Sequence, residues 1–146
     1  QIESRNRDSE KSNWSLILLD IDDFKKYNDT YGHPEGDRLL KLIAGAITDA
    51  VREYDIVARY GGEEFAVILQ ETDNTTALEI AERIRMAVVN LPPNLLKSPV
   101  SVSAGVATSP DHTKIRGGLL EYADKSLYYA KNTGKNKVCG GFSQGS

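Results

Sequence analysis

Two adjacent carboxylates follow two glycines in Arg59-Tyr60-Gly61-Gly62-Glu63-Glu64-Phe65. Acids held side by side on a rigid turn repel each other, so stability alone does not favour them unless something positive comes close. A metal ion is such a partner. Upstream, Asp20 ends the apolar run Trp14 to Leu19 and begins Asp20-Ile21-Asp22-Asp23. Mg²⁺ prefers near-octahedral oxygen coordination, commonly from one or two protein carboxylates with water and substrate phosphates completing the shell. Asp20 with Glu63 or Glu64 would supply that pair, with a backbone oxygen such as that of Ile21 as a further ligand, provided the turn lies beside the strand end. The plainer alternative makes Asp20, Asp22 and Asp23 helix-capping acids and Glu63 and Glu64 solvated turn residues.

Other residues have ordinary explanations on their own. Lys131 and Lys135 lie four apart across a helix end, where cations complement the macrodipole. Asn28 and Asp37 read as a turn asparagine and an acid near a helix N-terminus, although the two can flank one pocket. Arg52 and Asp55, in Arg52-Glu53-Tyr54-Asp55, resemble any arginine and aspartate paired near a helix end, and Arg83 and Arg85 read as exposed helix cations. Cys139 has no convincing base partner, and His33 and His112 fall beside Pro34 and in a loop, so thiol or triad hydrolysis has no support.

The elements that must position these groups follow from periodicity. Trp14 to Ile21 is apolar almost throughout, which predicts a central strand buried on both faces. A short helix follows, stopped at Gly32. Pro34 then opens an amphipathic helix with Leu39, Leu42, Ile43, Ala46, Ile47 and Ala50 on its apolar side. Alternation predicts a hairpin with Ile56, Ala58 and Tyr60 inward before the glycines and Phe65, Val67 and Leu69 inward after them. A helix striped by Leu78, Ala81, Ile84 and Val88 ends at Pro92 and Pro93. Val100, Val102, Ala104 and Val106 mark another strand, and residues 111–118 a loop. Leu120, Ala123, Leu127 and Ala130 mark a last helix stopped at Gly134, with a short strand possible after it. This order predicts one α+β domain, helices covering a mostly antiparallel sheet.

The chain has 146 residues, 40% of them hydrophobic, enough for one real core and short for two. Its net charge of −3 gives no general attraction for a nucleic-acid polymer, so a polyanionic ligand needs a local basic site. One cysteine excludes an internal disulfide and suits a reducing compartment. No apolar run is long enough to span a bilayer and no signal-peptide pattern opens the chain, so a cytoplasmic domain without membrane contact is expected. The polar start reads as part of a helix and the end as a tail, as in a piece of something longer.

The glycine–acid turn, preceded by the segment from Leu18 to Leu40 and followed by Ser101-Val102-Ser103-Ala104-Gly105-Val106-Ala107 and by the segment from Ala123 to Asn136, resembles the bacterial GGDEF family of diguanylate cyclases in its GGEEF variant. The match runs from about Leu16 to Val138. The resemblance implies a five-stranded, mainly antiparallel sheet flanked by helices, akin to adenylyl cyclase and polymerase palm domains. It implies condensation of two GTP into cyclic di-GMP with loss of two pyrophosphates, each subunit of a homodimer holding one GTP.

It further implies Mg²⁺ (or Mn²⁺) on Asp20, the carbonyl of Ile21 and Glu63. By the same resemblance Glu63 would also be the proton acceptor for the attacking 3′-hydroxyl, with Glu64 a second candidate for metal or base work. Asn28 and Asp37 would read guanine, whose N1–H and exocyclic amine both donate to a carboxylate, where adenine would present an acceptor at N1. Lys25, Lys131 and Lys135 would hold phosphates, Lys135 standing where the family often has arginine. Arg52, Asp55 and Arg83 would form an inhibitory site for cyclic di-GMP. The family's usual opening segment, resembling D-x-L-T-x-L-x-N-R, and the sensory or dimerising domain before it are expected to be absent from residues 1–146. A noncatalytic module binding GTP or cyclic di-GMP is the alternative, and a cyclase making a mixed-purine product a third reading.

Overall fold

The computed structural model describes residues 13–110 and 118–140. The expected polar helical opening, the loop over residues 111–117 with His112, and the tail from Gly141 lie outside the described residues.

Strand β1 (Trp14–Ile21) is the middle of a five-stranded sheet of order β2-β3-β1-β4-β5. Every residue of β1 after Trp14 is buried, as its unbroken apolar run predicts. β2 (Ile56–Arg59), β3 (Glu64–Gln70) and β4 (Val102–Ser109) join antiparallel ladders, whereas β5 (Val138–Gly140) runs parallel to β4. The expected mainly antiparallel α+β sheet is therefore present.

One face carries α2 (His33–Ala50) and α3 (Asn74–Val89), which bury Leu39, Leu40, Ile43, Ile47, Ile80 and Ile84 against Ile17, Leu19, Val67 and Val106. α1 (Phe24–Tyr31) leans on α2 and contributes Phe24 and Tyr27 to that core. The opposite face is covered by α4 (Leu119–Asn132), whose Leu119, Ala123 and Leu127 meet Leu16, Leu18 and Ala107. α4 lies unusually close. A Cβ added to Gly105 on β4 would come within 2.2 Å of the Ala123 carbonyl oxygen and 2.3 Å of the Leu127 nitrogen, so glycine is what lets the helix backbone meet the sheet.

Three sequence expectations are corrected. Ile56 is 46% and Tyr60 51% exposed, and Ala58 is exposed too. Cross-strand pairing puts Val57 opposite Val67, so Val57 and not Ile56 shares the buried face. Leu40, rather than Leu42, is fully buried on α2, and Leu119 replaces Leu120, which is 41% exposed, on α4. Each inward face is set by which surface the neighbouring element covers, and short windows of an amphipathic pattern leave that phase open by one residue.

Candidate active site

The ladder registers Asp20 of β1 opposite Glu64 of β3 on one side and Ser103 of β4 on the other. Side chains paired across a ladder share a face, and this one is covered by α4. The tip between β2 and β3 is also tied directly to β1, because the Ile21 amide donates to the Glu63 carbonyl at 3.2 Å. The condition set by the sequence is met: the acidic turn lies beside the end of the first strand.

Lys131, in the last turn of α4, donates to Asp20 Oδ2 at 2.8 Å. Asp20 is almost wholly buried, and its Oδ1 has no hydrogen-bond partner. An unsatisfied buried carboxylate oxygen costs free energy and is an open acceptor for a proton or a cation. Burial, followed by the charge of Asp20, pushes both the Glu63 and Glu64 carboxyls above their usual range. For Glu64 the nearby Asp124 charge acts in the same sense. Burial works against the Lys131 ammonium, but its hydrogen bond to Asp20 and the charges of Asp20, Glu63 and Glu64 together raise its pKa. Excess negative charge gathers at the adjoining ends of β1 and β3 and is partly offset by Lys131, an arrangement that attracts a cation.

Among the described residues no group of three His, Cys, Asp or Glu side chains is arranged as a ready cage for a metal ion. The donor set suits a hard cation of the Mg²⁺ type, which takes few protein carboxylates and keeps waters and phosphate oxygens. The open Oδ1 of Asp20, with Glu63 beside it, is the fit on the protein side.

The turn glycines differ in what they are needed for. A Cβ on Gly61 would come within 2.9 Å of Glu64 Oε1, whereas one on Gly62 would meet nothing within 4 Å. Gly62 therefore faces open space, where a bare backbone can be approached closely.

Asn28 lies in α1 three residues before its end, with Oδ1 buried and unpartnered. A Cβ on Gly36 would stand 1.6 Å from that oxygen, so Gly36 makes the room that Asn28 occupies. The next residue, Asp37, lines a groove of about 530 Å³ between α2 and β2, floored by Leu40, Ala44, Val57 and Phe65. Asn28 and Asp37 are thus brought to adjoining positions around the start of α2.

The structure does not bring every lysine to the acids. Lys25 is exposed and pairs with Asp29 at 3.0 Å. Lys135, just past α4, pairs with Asp23 at 2.7 Å, and that hydrogen bond raises its pKa. Asp22, a helix-capping acid on the plainer sequence reading, is instead buried and accepts from Ser101 Oγ, Ser103 Oγ and the Asn136 amide. It ties the end of β1 to β4 and to the turn before β5. Asp23 stands at the N-cap of α1 with φ 57° and makes no side-chain capping bond, so the helix-cap reading of this aspartate fails there.

Arg52 and Asp55 form a tight clamp. The buried Asp55 carboxylate accepts from the Arg52 amide, Nε and Nη2 at 2.8–2.9 Å, and Arg52 Nη2 reaches Thr72 Oγ1 at 2.5 Å. Arg52 also lies 4.9 Å over the exposed Tyr54 ring. Arg83 Nε donates to the Ala50 carbonyl at 2.8 Å, so all three residues meet at the C-terminal end of α2.

Comparison with known proteins identifies the family and the fold. A family model described as diguanylate cyclase, GGDEF domain, matches residues 1–137. The uncharacterized protein YhcK of Bacillus subtilis is 45% identical over 129 residues, 86% of this chain and 36% of that protein. The probable diguanylate cyclase DgcT of Escherichia coli is 39% identical over 134 residues, 89% of this chain and 30% of that protein. This chain therefore spans about a third of the length of these curated relatives. Among solved structures, the active GGEEF domain of a Vibrio cholerae diguanylate cyclase superposes with a TM-score of 0.82 at 29% identity, covering 96% of this chain and 90% of that one. The GGDEF domain of DgcB from Caulobacter crescentus, in complex with c-di-GMP, gives 0.81 at 30% identity, covering 94% and 82%.

Proposed function

This chain belongs to the GGDEF-domain family, and from that premise we propose that it is a diguanylate cyclase joining two GTP into cyclic di-GMP at a site shared by two subunits. The observation that carries the reading is the junction of Asp20, Glu63, Glu64 and Lys131 at the adjoining ends of β1 and β3, one buried carboxylate oxygen left open.

Each half-reaction forms a bond from the 3′-oxygen of one GTP to the α-phosphorus of the other and breaks the α–β phosphoanhydride bond. The hydroxyl proton leaves to a base and pyrophosphate departs; the second half-reaction closes the ring. On this reading Glu63 accepts that proton, or Glu64 does while Glu63 is engaged by the metal, since a metal-bound carboxylate is a weak base. Asp20, the Ile21 carbonyl and Glu63 would hold Mg²⁺ or Mn²⁺, which offsets α-phosphate charge and acidifies the attacking hydroxyl. Lys131, paired with Asp20 here, would turn to phosphate once a cation takes its place on that carboxylate, and the open space at Gly62 leaves the turn backbone free to meet phosphate oxygens. Lys25 and Lys135 join the phosphates only by leaving Asp29 and Asp23, a small loss for exposed pairs.

Asn28 and Asp37 select guanine, since adenine at this position would face Asp37 with a lone pair. The clamp of Arg52 and Asp55 with Arg83 is the product site for feedback inhibition, with Arg52 supplying the guanidinium face and edge. The reaction draws on GTP and Mg²⁺ and so belongs to the cytoplasm; no helix among the described residues is long and apolar enough to cross a membrane.

The test is incubation of the purified domain with GTP and Mg²⁺ at high protein concentration, with nucleotides identified by mass spectrometry and Glu63→Ala as control. Cyclic di-GMP that disappears in the control supports the cyclase. No product, even from the domain fused to a dimerising coiled coil, refutes it and leaves a noncatalytic nucleotide-binding module.

A further inference from the structure

Arg59 opens the glycine–acid turn, and neither the metal, purine nor phosphate assignments give it a task. Its side chain folds back over the turn. Nε donates to the Gly61 carbonyl at 3.2 Å and Nη2 to the Gly62 carbonyl at 2.6 Å. The remaining carbonyls of the turn are also held: Glu63 O by the Ile21 amide, and Glu64 O by the amides of Tyr60 at 2.8 Å and Gly61 at 3.3 Å. Four consecutive carbonyls, from Gly61 to Glu64, therefore have partners, and Arg59 supplies both bonds to the glycines.

Glycine loses more conformational freedom on ordering than any other residue, so Gly61-Gly62 is the weakest point in the path that aims Glu63 and Glu64. Neither glycine is among the residues with positive φ, so no special backbone geometry locks the turn from within. A tie from outside is needed. Arginine suits it because one planar fork reaches two carbonyls, which a single ammonium on a flexible stem does not reproduce. Arg59 also lines the groove that contains Asp37, so one side chain touches both the acid turn and the mouth of the purine groove.

We propose that Arg59 is a positioning residue: it fixes the Gly61-Gly62 backbone so that Glu63 and Glu64 are aimed at the reacting atoms. The inference rests on the cyclase reading of the same site and adds how that site keeps its geometry. Arg59 lies on an exposed edge strand outside the core, so its replacement leaves the fold standing.

The experiment compares wild type, Arg59→Lys and Arg59→Gln in steady-state cyclic di-GMP synthesis, thermal unfolding and amide hydrogen exchange. The expected result is a kcat lower by roughly 10- to 100-fold in both variants, the scale of an ångström-level misplacement. KM for GTP stays within about twofold, as for an interaction that matters only in the transition state. The unfolding midpoint stays near wild type, and exchange at the Tyr60 and Gly61 amides quickens. A kcat unchanged in both variants overturns the proposal, as does a rise in KM alone, which would make Arg59 a substrate ligand. Loss of the unfolding transition in both variants would assign Arg59 to the fold and overturns it equally. Wild type without product refutes the cyclase reading instead, so the two failures are distinguishable.

Discussion

Replacing Gly105 by alanine tests whether the contact between α4 and the sheet holds the site together. The added Cβ would stand 2.2 Å from the Ala123 oxygen, 2.3 Å from the Leu127 nitrogen and 2.9 Å from the Leu127 Cα, where ordinary contact begins at 3.4 Å. All three atoms are backbone, so no side chain can swing away, and α4 must retreat by about 1.2 Å, the difference between 3.4 and 2.2 Å. Overpacking of this kind costs about 1–3 kcal/mol, and more when a helix backbone must move. At about 4 °C per kcal/mol for a domain of this size, the unfolding midpoint should fall by about 4–12 °C. α4 also carries Lys131, so its bond to Asp20 lengthens and cyclic di-GMP synthesis should fall as well. Urea and thermal unfolding with a product assay at a temperature where the variant stays folded measure both effects. A variant within about 0.5 kcal/mol of wild type, the range of ordinary surface changes, would refute the close-approach argument.

Gly36→Ala should drive the Asn28 side chain from its place and raise KM for GTP about tenfold, the worth of roughly one hydrogen bond, with a smaller effect on kcat; an unchanged KM would remove Asn28 from guanine reading. Arg52→Ala leaves the buried Asp55 carboxylate without its charge partner, with only the residue-52 amide still donating, and takes one bond from Thr72 Oγ1, so it should cost about 3 kcal/mol in urea unfolding and abolish product inhibition together. Inhibition that survives in a folded Arg52→Ala protein would move the product site elsewhere. Asp73 caps α3 by accepting from the Thr76 amide at 2.9 Å, and Asp73→Ala should cost about 1 kcal/mol at neutral pH. That bond holds the Asp73 carboxyl below its usual range, so its stabilisation is complete above the ordinary aspartate value and is lost as pH falls through the lower folded value. Wild-type and variant stability curves should therefore converge in acid.

The sequence made most of this framework legible because long, strongly patterned segments carry their own period. β1 shows an unbroken apolar run, α2 and α3 show helical stripes, and Gly32 and Gly134 stand at helix ends with φ of 94° and 126°. The short edge strand β2 was misread by one residue. Its inward face depends on the register with β3, and α4 packs over β1 and β4 while Ile56 and Ala58 stay exposed.

In the site, Asp20 and the glutamates stand out because acids at the end of a buried strand and on a glycine turn conflict with stability. The pairing of Asp20 with Lys131, 111 residues away, could not be read from spacing. Asp22 was hidden for the same reason, since Ser101, Ser103 and Asn136 meet it only after the sheet closes. Arg59 was visible in the motif but had no task until its bonds to the glycine carbonyls were seen.

The central claim is that Asp20 and Glu63 together turn GTP into cyclic di-GMP. Its most direct measurement counts cyclic di-GMP and pyrophosphate in the same reaction, for wild type, Asp20→Asn and Glu63→Gln with Mg²⁺ and GTP. The account predicts two pyrophosphates per cyclic di-GMP from wild type and neither product above background from the variants. Cyclic di-GMP that persists in both variants, or wild-type protein that binds nucleotide without turning it over, would contradict it.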